Sequence, residues 1–424
     1  MSRTEGKAKD KAKGKAKFNI MPKNNWLKAL LFAELITALV FMTLLTFVDV
    51  FPKNIVAILL AVLIYFLVMS IILLRSRSKK KTARVIGVVL SSVLIVLYGG
   101  GSYYLASAFS MFNRISVGSI AGSGVDVTSE AFNIYVTGID QWESEKGYDL
   151  ERSDVNMIMT VNPNTKTILL TSMPRDSYVA LHKNGKMDKL THTGIYGVDE
   201  TLNTVSDWFD GLEFDYYIKV NFSTFVDVVD AIGGIDVDND VEFTSWIRED
   251  YHYPVGTLHL DGSQALYFAR ERKSFEEEDE KRIANQQKVL KAVLNKCLTS
   301  KTILLNYQDL LNAAGDNMET NLTPKQMNAL VKMQLSDLGA WTIKQQAVSG
   351  EGAMRTVASM SSKNQYYVSI PNQETVDACI EGINAVMNPS EEEIEKVSEE
   401  RKTAKQEQQA QSFFKKIFSG NKSK

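Results

Sequence analysis

The stretch Phe132-Asn-Ile-Tyr-Val-Thr-Gly-Ile-Asp140 opens the folded part of the chain. Its β-branched and aromatic residues are typical of a strand. Two further apolar runs follow at residues 155–161 and 167–172, and the turn sequence Asn162-Pro-Asn-Thr165 separates them. The pattern predicts a strand followed by a β-hairpin, and therefore a sheet at the centre of the fold.

Helical periodicity alternates with strand signals in the residues that follow. The helix predicted at residues 223–232 runs into Gly233-Gly234, a pair suited to ending a helix in the left-handed conformation. A strand pattern then covers residues 235–241. The other predicted helices lie at residues 199–209, 264–269 and 279–298. This order of elements predicts an α/β domain in α-β-α layers with a mixed sheet.

Three apolar runs precede this domain, at residues 26–48, 55–74 and 85–108. Each has about the 20 residues needed to cross a hydrocarbon core. Glu34 lies within the first run, where a carboxyl group is costly unless it is paired or reaches the interface. Basic residues crowd residues 1–25 and 75–84, and the positive-inside bias places both segments in the cytoplasm. We therefore expect a multi-pass protein of the cytoplasmic membrane, with three transmembrane helices, a cytoplasmic N-terminus and an extracytoplasmic domain.

Composition divides the rest of the chain. Residues 109–131 are rich in Gly and Ser and are expected to form a linker, and residues 132–388 carry the folded domain. Glu, Lys, Gln and Ser dominate residues 389–424, which predicts a charged tail without a core of its own. Residues 1–25 form a basic tail at the other end of the chain.

Charge and cysteine usage exclude several classes of protein. The 424 residues carry a net charge of -2, and acidic residues dominate residues 130–280. Because the domain is not basic and has no helix-turn-helix pattern, we expect no nucleic-acid partner. Cys297 and Cys379 are in no metal-ligand spacing, and two free thiols are favoured over a disulfide.

Two carboxylates stand at predicted strand ends. Asp140 follows the first strand, and Asp154 comes just before the second. Two such groups could hold one Mg²⁺, a hard ion that prefers oxygen ligands and keeps several waters. The alternative is that Asp140 is a turn residue and Asp154 a cap, and spacing alone favours that alternative.

Arg175 follows the strand at residues 167–172, within Met173-Pro-Arg-Asp176. The planar guanidinium group of arginine suits phosphate oxygens, which it can bind with two hydrogen bonds. The alternative is a surface turn in which Arg175 pairs locally with Asp176.

The third cluster contains Arg270, Arg272, Asp279, Arg282 and Gln286. If residues 268–272 are extended, Arg270 and Arg272 project to the same face. On a helix, Asp279, Arg282 and Gln286 share one face at spacings i, i+3 and i+7. So many arginines around one carboxylate indicate a ligand with several negative charges, such as a pyrophosphate. A solvated charged face is the alternative.

Many ordered motifs between Phe132 and Cys297 resemble the LytR-CpsA-Psr family of Gram-positive cell-envelope proteins, and within it the CpsA-like branch. The three apolar runs also resemble that branch. A departure is that CpsA-like members often carry an extra domain where this chain has only the linker. The matching motifs are Gly138-Ile-Asp140, Arg152-Ser-Asp154, Met173-Pro-Arg-Asp176, Lys189-Leu-Thr-His192, Tyr196-Gly-Val-Asp199, Asp215-Tyr-Tyr217, Val220-Asn-Phe222, Gly233-Gly-Ile-Asp236, Leu260-Asp-Gly262, Gln264-Ala-Leu266, Arg270-Glu-Arg272 and Asp279 through Arg282 to Gln286-Gln287.

The resemblance implies a Mg²⁺-dependent phosphotransferase. Such an enzyme moves a glycopolymer (capsule polysaccharide, teichoic acid or a similar cell-wall polymer) from an undecaprenyl pyrophosphate carrier to peptidoglycan. It implies Mg²⁺ as cofactor, and as partners the lipid-linked glycopolymer, peptidoglycan, the membrane, and capsule or wall assembly proteins.

The resemblance also implies roles for individual residues. Asp140 and Asp154 are expected to hold Mg²⁺. Asp279 is expected to orient or deprotonate the acceptor, with Arg272 and Arg282 beside it as catalytic residues. The residues expected to bind the pyrophosphate are Arg152, Arg175, Arg270, Arg272, Arg282 and Gln286.

The lipid tail of such a substrate needs an apolar slot. One stripe on the predicted helix at residues 223–232 could line it, although a stripe of this kind is more often ordinary core. Its members are Phe222, Phe225, Val226, Val229 and Ile232.

Two other functions stay open on the sequence. A hydrolase that cleaves the pyrophosphate lipid with water would use the same residues. A non-catalytic envelope regulator or scaffold would bind the lipid without turnover; the family has also been labelled a transcriptional attenuator.

Overall fold

The computed structural model divides into two units, one from residues 1–47 and 53–105 and one from residues 48–52 and 106–424. Asp140, the basic residues 1–21 and most of the charged tail lie outside the described residues. The residues that the structure describes are 22, 24–75, 81–116, 122–139, 152–276, 278–298, 307–315, 318–336, 341–400 and 402–403.

Three long helices contribute most of their residues to the first unit. They are α1 (Asn25–Val48), α2 (Lys53–Leu74) and α3 (Lys81–Ile115). By length and composition each could cross a membrane. Large apolar side chains cover their outer faces, such as Phe32 and Val96, which are 60% and 72% exposed. An exposed apolar surface of this kind suits lipid rather than water.

Glu34 is fully buried between the helices, and it is paired. Ser91 of α3 donates a hydrogen bond to its Oε2 atom at 2.7 Å. Seven residues further along both helices, Phe41 stacks on Tyr98 with ring centroids 5.9 Å apart. The equal spacing shows that α1 and α3 run parallel in one register. The polar contact offsets part of the cost of placing a carboxyl group among apolar helices.

The second unit is built from short strands and helices. Its strands are β1 (Phe132–Ile139), β2 (Ser153–Asn162), β3 (Thr167–Met173), β4 (Tyr178–Ala180), β5 (Met187–Lys189), β6 (Tyr216–Asn221), β7 (Ile235–Asn239), β8 (Phe243–Thr244), β9 (His252–Tyr253), β10 (Gly256–Leu260), β11 (Met318–Thr320), β12 (Thr342–Ala347), β13 (Gly350–Arg355) and β14 (Tyr366–Pro371). Its helices are α4 (Leu190–Thr193), α5 (Val198–Trp208), α6 (Phe222–Ala231), α7 (Gly262–Arg270), α8 (Glu278–Cys297), α9 (Tyr307–Ala314), α10 (Pro324–Ser336) and α11 (Gln373–Met387).

The central sheet has the order β11-β6-β1-β2-β3-β12. The predicted hairpin is present, because β2 and β3 pair antiparallel. Asn162 holds its turn by accepting hydrogen bonds at Oδ1 from the backbone N–H groups of Asn164 and Thr165. β6 runs parallel to β1, and β12 runs parallel to β3. The sheet is therefore mixed, as predicted.

Both faces of this sheet are covered by helices. Neighbouring residues on β1 point to opposite faces, so Tyr135 and Ile134 belong to different cores. Tyr135 packs in a core to which α5 and α11 contribute, for example through Val205 and Ile383. Ile134 packs in a core to which α8 and α10 contribute partly buried side chains. The α-β-α layering predicted from the sequence is confirmed.

A third core joins α6, α7 and the strand pair β7–β10, with Phe268 and Val229 fully buried within it. α7 begins at Gly262, directly against the backbone of α6. A Cβ atom at residue 262 would lie 2.2 Å from the carbonyl oxygen of Val226. This approach brings α7 close enough to α6 for both helices to border the cavity described below.

The two cysteines are free thiols. Cys297 is half-buried at the end of α8, and Cys379 is buried in α11. Burial raises the pKa of each thiol to about 11, so both stay protonated at neutral pH.

Replacing Gly262 by Ala should destabilise the folded unit by about 1–3 kcal/mol, because the added methyl group meets backbone that cannot move away. The measurement is the Tm of the full chain in detergent. Gly124→Ala is the matched control, since a Cβ atom there meets nothing within 4 Å. An equal Tm for the two variants would contradict this account of the α6–α7 contact.

Candidate active site

The site lies at one edge of the sheet. β1, β3 and β6 end there, and β2 begins there, since Gly138 pairs with both Val155 and Val220 in the sheet register. β6 passes directly into α6 at Asn221, whose side chain accepts a hydrogen bond from the Thr224 N–H and caps the helix. These strand ends therefore bring side chains from distant parts of the sequence together.

Asp154 and Arg175 meet at this edge. Nη1 of Arg175, just after β3, donates to Oδ1 of Asp154 on β2 at 2.7 Å. Arg175 also lies close to its neighbour, with 3.5 Å between its Nε atom and Oδ2 of Asp176. Both alternatives left open for Arg175 are thus partly realised, since it makes the local ion pair and also belongs to a larger cluster. Although burial lowers the pKa of Arg175, the carboxylates Asp154 and Asp176 raise it above its usual value.

Helix α8 brings the other half of the cluster. Nη2 of Arg282 lies 3.3 Å from Oδ1 of Asp279, one turn earlier on the same helix. Nη1 of Arg272 lies 3.7 Å from the same oxygen. The predicted face shared by Asp279, Arg282 and Gln286 is present on α8, which spans all three positions.

Arg270 is placed differently from the prediction. The segment that includes Arg270 was expected to be extended, but Arg270 is the last residue of α7. Asp261 and Gln264 form a capping box that starts this helix, and the backbone becomes extended only at Glu271. Arg270 nevertheless points to the same site as Arg272, with its guanidinium group 4.7 Å from the centre of the Phe222 ring.

Glu271 is a positioning residue that the sequence did not reveal. Its carboxylate is fully buried and accepts hydrogen bonds from the backbone N–H groups of Trp246, Arg272 and Ser274. These bonds hold the loop that carries Arg272. An acidic residue between two arginines in the sequence is expected to form a surface ion pair with one of them. Only the fold shows that the Glu271 carboxylate accepts hydrogen bonds from the backbone instead.

A cavity of about 320 Å³ opens at the cluster. Its charged and polar end is formed by Asp154, Arg175, Arg270, Arg272, Arg282 and Gln286. The rest of its wall is largely apolar, with side chains from β1, β2, β6, α6, α7 and α8 and from Ile247. These apolar side chains are Val136, Val155, Met157, Val220, Phe222, Phe225, Ile247, Leu266, Ala269, Val289 and Leu290. The arrangement suits a molecule with an anionic head and an apolar tail.

The apolar stripe predicted on α6 is divided between two environments. Phe222 and Phe225 line the cavity. Val229 and Ile232 are buried in the third core instead. The stripe therefore provides both the slot and ordinary core, because successive turns of α6 face different neighbours.

Arg152 lies just before β2, and it is not among the described residues that line this cavity. Asp140 is outside the described residues, so of the two carboxylates expected to hold a metal only Asp154 can be placed. Within the described chain there is no group of three or more His, Cys, Asp or Glu side chains arranged to hold a metal ion.

Arg282 is the most deeply buried arginine of the cluster, with 7% of its surface exposed. Burial lowers its pKa; Asp279 acts against this, while the charges of Arg175 and Arg272 lower it further. Its Nε atom is buried without a hydrogen-bond acceptor among the described residues. Because buried N–H groups are nearly always paired, this one marks a place for an acceptor such as a phosphate oxygen.

Asp176 links the cluster to β5. Nζ of Lys189 donates to Oδ1 of Asp176 at 2.8 Å, and both side chains are largely buried. Burial raises the pKa of Asp176, but the hydrogen bond from Lys189 and the charges of Arg175 and Lys189 outweigh it and lower the pKa below its usual value. The pair fixes the loop on which Arg175 stands.

The fold and the site together define an α/β domain with a cationic sheet edge at the mouth of an apolar cavity. The chain belongs to the LytR_cpsA_psr family, whose sequence pattern matches residues 112–381, more than half of its length. The resemblance to this family is thereby confirmed, and the CpsA-like branch stays a prediction.

Several relatives are named polyisoprenyl-teichoic acid–peptidoglycan teichoic acid transferase TagU. TagU of Bacillus anthracis is 40% identical over 200 residues, which are 47% of this chain and 63% of TagU. The match thus spans less than two thirds of that relative. TagU of Enterococcus faecalis is 31% identical over 246 residues, which are 58% of this chain and 78% of that protein.

Solved structures share the fold of the second unit. TagT bound to LIIa-WTA superposes with a TM-score of 0.52 and 25% identity, over 63% of this chain and 97% of TagT. Bacillus subtilis TagV superposes with a TM-score of 0.50 and 27% identity, over 61% of this chain and 98% of TagV.

Replacing Asp176 by Asn should destabilise the protein by about 3 kcal/mol at pH 7, because Lys189 loses its buried partner. The folded state lowers the pKa of Asp176, so the pair stabilises the fold fully above the unfolded pKa of about 3.9. That contribution is lost as the pH falls through the lower folded value. The Tm difference between wild type and variant should therefore be large at pH 7 and shrink below about pH 4.

Asp250→Asn is the control for this series. Asp250 forms an exposed ion pair with Arg248, and such pairs contribute little. A Tm difference for Asp176→Asn that does not change with pH would show that the charge of Asp176 is not what stabilises the loop.

Proposed function

We propose that this protein transfers a glycopolymer phosphate from an undecaprenyl pyrophosphate carrier to a peptidoglycan hydroxyl. The observation that carries the proposal is the cavity, in which a cluster of arginines stands at the mouth of an apolar slot. A polyprenyl pyrophosphate has the matching form, with two charged phosphates on an apolar tail. The names of the TagU relatives support a teichoic acid or a related wall polymer as the cargo.

The arginines are proposed to hold the two phosphates. Arginine binds phosphate oxygens with paired N–H groups, and its charge is not lost at neutral pH. Arg282 approaches from α8, Arg272 from the loop before α8, and Arg175 from the sheet. Charge that develops on the leaving polyprenyl phosphate is then stabilised by groups already in position, the main means of catalysis in phosphoryl transfer.

Mg²⁺ is proposed as the cofactor. Magnesium is usually held by one or two carboxylates together with phosphate oxygens. Asp154 provides one carboxylate beside the arginines, and Asp140 is proposed as the second ligand. A bound Mg²⁺ would neutralise charge on the phosphates.

The helices α1–α3 are proposed to cross the cytoplasmic membrane, with the basic N-terminus inside and the α/β domain outside. Their length and apolar surfaces support a membrane anchor. The Lys and Arg residues at positions 1–25 and 75–84 support the orientation. This topology places the site on the side where peptidoglycan is found.

Arg272→Ala should reduce the transfer rate about 100-fold or more, because a charge that stabilises the leaving group is removed. The assay uses the full chain in detergent with a short-chain polyprenyl pyrophosphate glycolipid, Mg²⁺ and a peptidoglycan oligomer. The products are analysed with and without the oligomer. Arg355→Ala is the matched control, since Arg355 is exposed on β13 and outside the residues lining the cavity.

Three other outcomes of this assay would change the proposal. Full activity of Arg272→Ala would contradict the arginine part of the proposal. Release of polyprenyl phosphate by wild type at the same rate without the oligomer would favour a hydrolase. Lipid binding without any turnover would favour a scaffold.

Removing Mg²⁺ with a chelator should abolish transfer, and adding Mg²⁺ should restore it. Asp154→Asn should then need about tenfold more Mg²⁺ for half-maximal rate, because a neutral amide is a weaker ligand than a carboxylate. Asp207→Asn, an exposed carboxylate paired with His182, serves as control. Unchanged turnover in excess chelator would contradict the metal part of the proposal.

A further inference from the structure

A second cavity, of about 710 Å³, borders the same arginines. It shares Arg175 and Arg272 with the apolar cavity, and the other described residues that line it are different. Asp279 lines only the second cavity. Part of its wall comes from the β13–β14 hairpin, through Gly350, Tyr367 and Ser369. The two cavities therefore meet at the cluster and diverge from it.

Tyr367 is the aromatic residue of the second cavity and is 48% exposed. Its ring lies against Gly352 of the neighbouring strand, where a Cβ atom would come 3.0 Å from Cε2 and 3.3 Å from Oη. Gly352 is the diagonal neighbour of Tyr367, which pairs with Met354, and the absence of a side chain there lets the ring rest on the backbone of β13. The ring is therefore supported on one side by the backbone of β13 and is open to the cavity on the other.

Tyr367 lines this cavity together with the carboxylates Asp176, Glu278 and Asp279. Burial raises the pKa of Tyr367, and the carboxylates Asp279, Asp176 and Glu278 raise it further, while Arg272 acts in the opposite direction. The phenol thus keeps its proton at neutral pH and can donate a hydrogen bond. Asp279 lines the same cavity.

The lining of this cavity suits a sugar. A half-exposed aromatic ring such as that of Tyr367 can stack on the apolar face of a pyranose. Carboxylates and serine hydroxyls around it, such as Glu276, Ser349 and Ser369, can bond the sugar hydroxyls. The second cavity lacks the continuous apolar wall of the first, so a lipid tail fits the first cavity better.

We propose that the second cavity binds the acceptor saccharide, and that Tyr367 is the residue that positions and selects it. This inference rests on the proposed function. In-line transfer requires the nucleophile to approach the phosphorus opposite the leaving group. Because the first cavity holds the tail of the leaving polyprenyl phosphate, the nucleophile must come from the other side of the arginines.

The acceptor hydroxyl oxygen forms a bond to the phosphorus that carries the glycopolymer, and the bond from that phosphorus to the bridging oxygen breaks. Polyprenyl phosphate leaves with the electron pair of that bond. The proton of the acceptor hydroxyl passes to the carboxylate of Asp279, which lines the acceptor cavity.

The test compares Tyr367→Ala and Tyr367→Phe with wild type in the full chain. Tyr367→Ala should raise the KM for the peptidoglycan oligomer about tenfold, the loss expected for one aromatic contact. The KM for the lipid donor should stay the same. Tyr367→Phe keeps the ring and should recover most of the acceptor affinity. Tyr366→Ala is the matched control, because neighbouring residues of a strand point to opposite faces.

Equilibrium binding separates this inference from the proposed function. The peptidoglycan oligomer and the lipid donor are titrated separately into each variant, with no turnover required. Weaker oligomer binding by Tyr367→Ala, with donor binding unchanged, supports the inference even if wild type shows no transfer, in which case only the proposed function fails. Weaker donor binding instead would place the donor's own saccharide in this cavity and overturn the inference. Unchanged binding of both, or no oligomer binding by wild type, would also overturn it.

Discussion

The arginines at the sheet edge can be buried only because carboxylates from several elements neutralise them. Arg282 is 7% exposed, and a charge buried to that degree is stable only beside an opposite charge. Asp279 provides that charge from the preceding turn of α8. Asp154 on β2 accepts a hydrogen bond from Arg175 and neutralises its charge. Asp176 also lies beside Arg175 and accepts a hydrogen bond from Lys189. These carboxylates belong to β2, to the loop after β3 and to α8. The arginines are therefore neutralised only if the strands have this order and α8 packs against the sheet.

Much of this arrangement could be predicted from local patterns. β1, β2 and β3 are strongly apolar, and a turn of Asn, Pro and Thr separates the last two, so the hairpin followed directly. The spacing of Asp279, Arg282 and Gln286 predicted their shared helical face, because helical periodicity is fixed by geometry. The strands β12, β13 and β14 were not predicted. β12 reads Thr-Ile-Lys-Gln-Gln-Ala and is largely exposed at the sheet edge, so it lacks the apolar signal on which strand prediction depends.

The errors have physical causes beyond the local sequence. The extended conformation considered for residues 268–272 would have put Arg270 and Arg272 on one face, but α7, which starts at the capping box of Asp261, continues to include Arg270. Tyr367 was not singled out, because its contact with Gly352 on the paired strand and its closeness to carboxylates of α8 exist only in the fold. Neither can be inferred without the fold, since each joins residues whose distance along the chain bears no relation to their distance in space.

The carboxylates that stabilise the cluster also limit what it can bind. Asp154 already accepts from Arg175, while Nε of Arg282 has no acceptor among the described residues. A ligand with a single charge would compete with these carboxylates at one position only. A diphosphate presents several oxygens and can bridge arginines that approach from different elements. The apolar wall of the cavity adds a second requirement, an apolar group on the ligand, which a soluble diphosphate does not have. An uncharged lipid fails the first requirement and a free diphosphate fails the second, whereas the proposed polyprenyl pyrophosphate meets both.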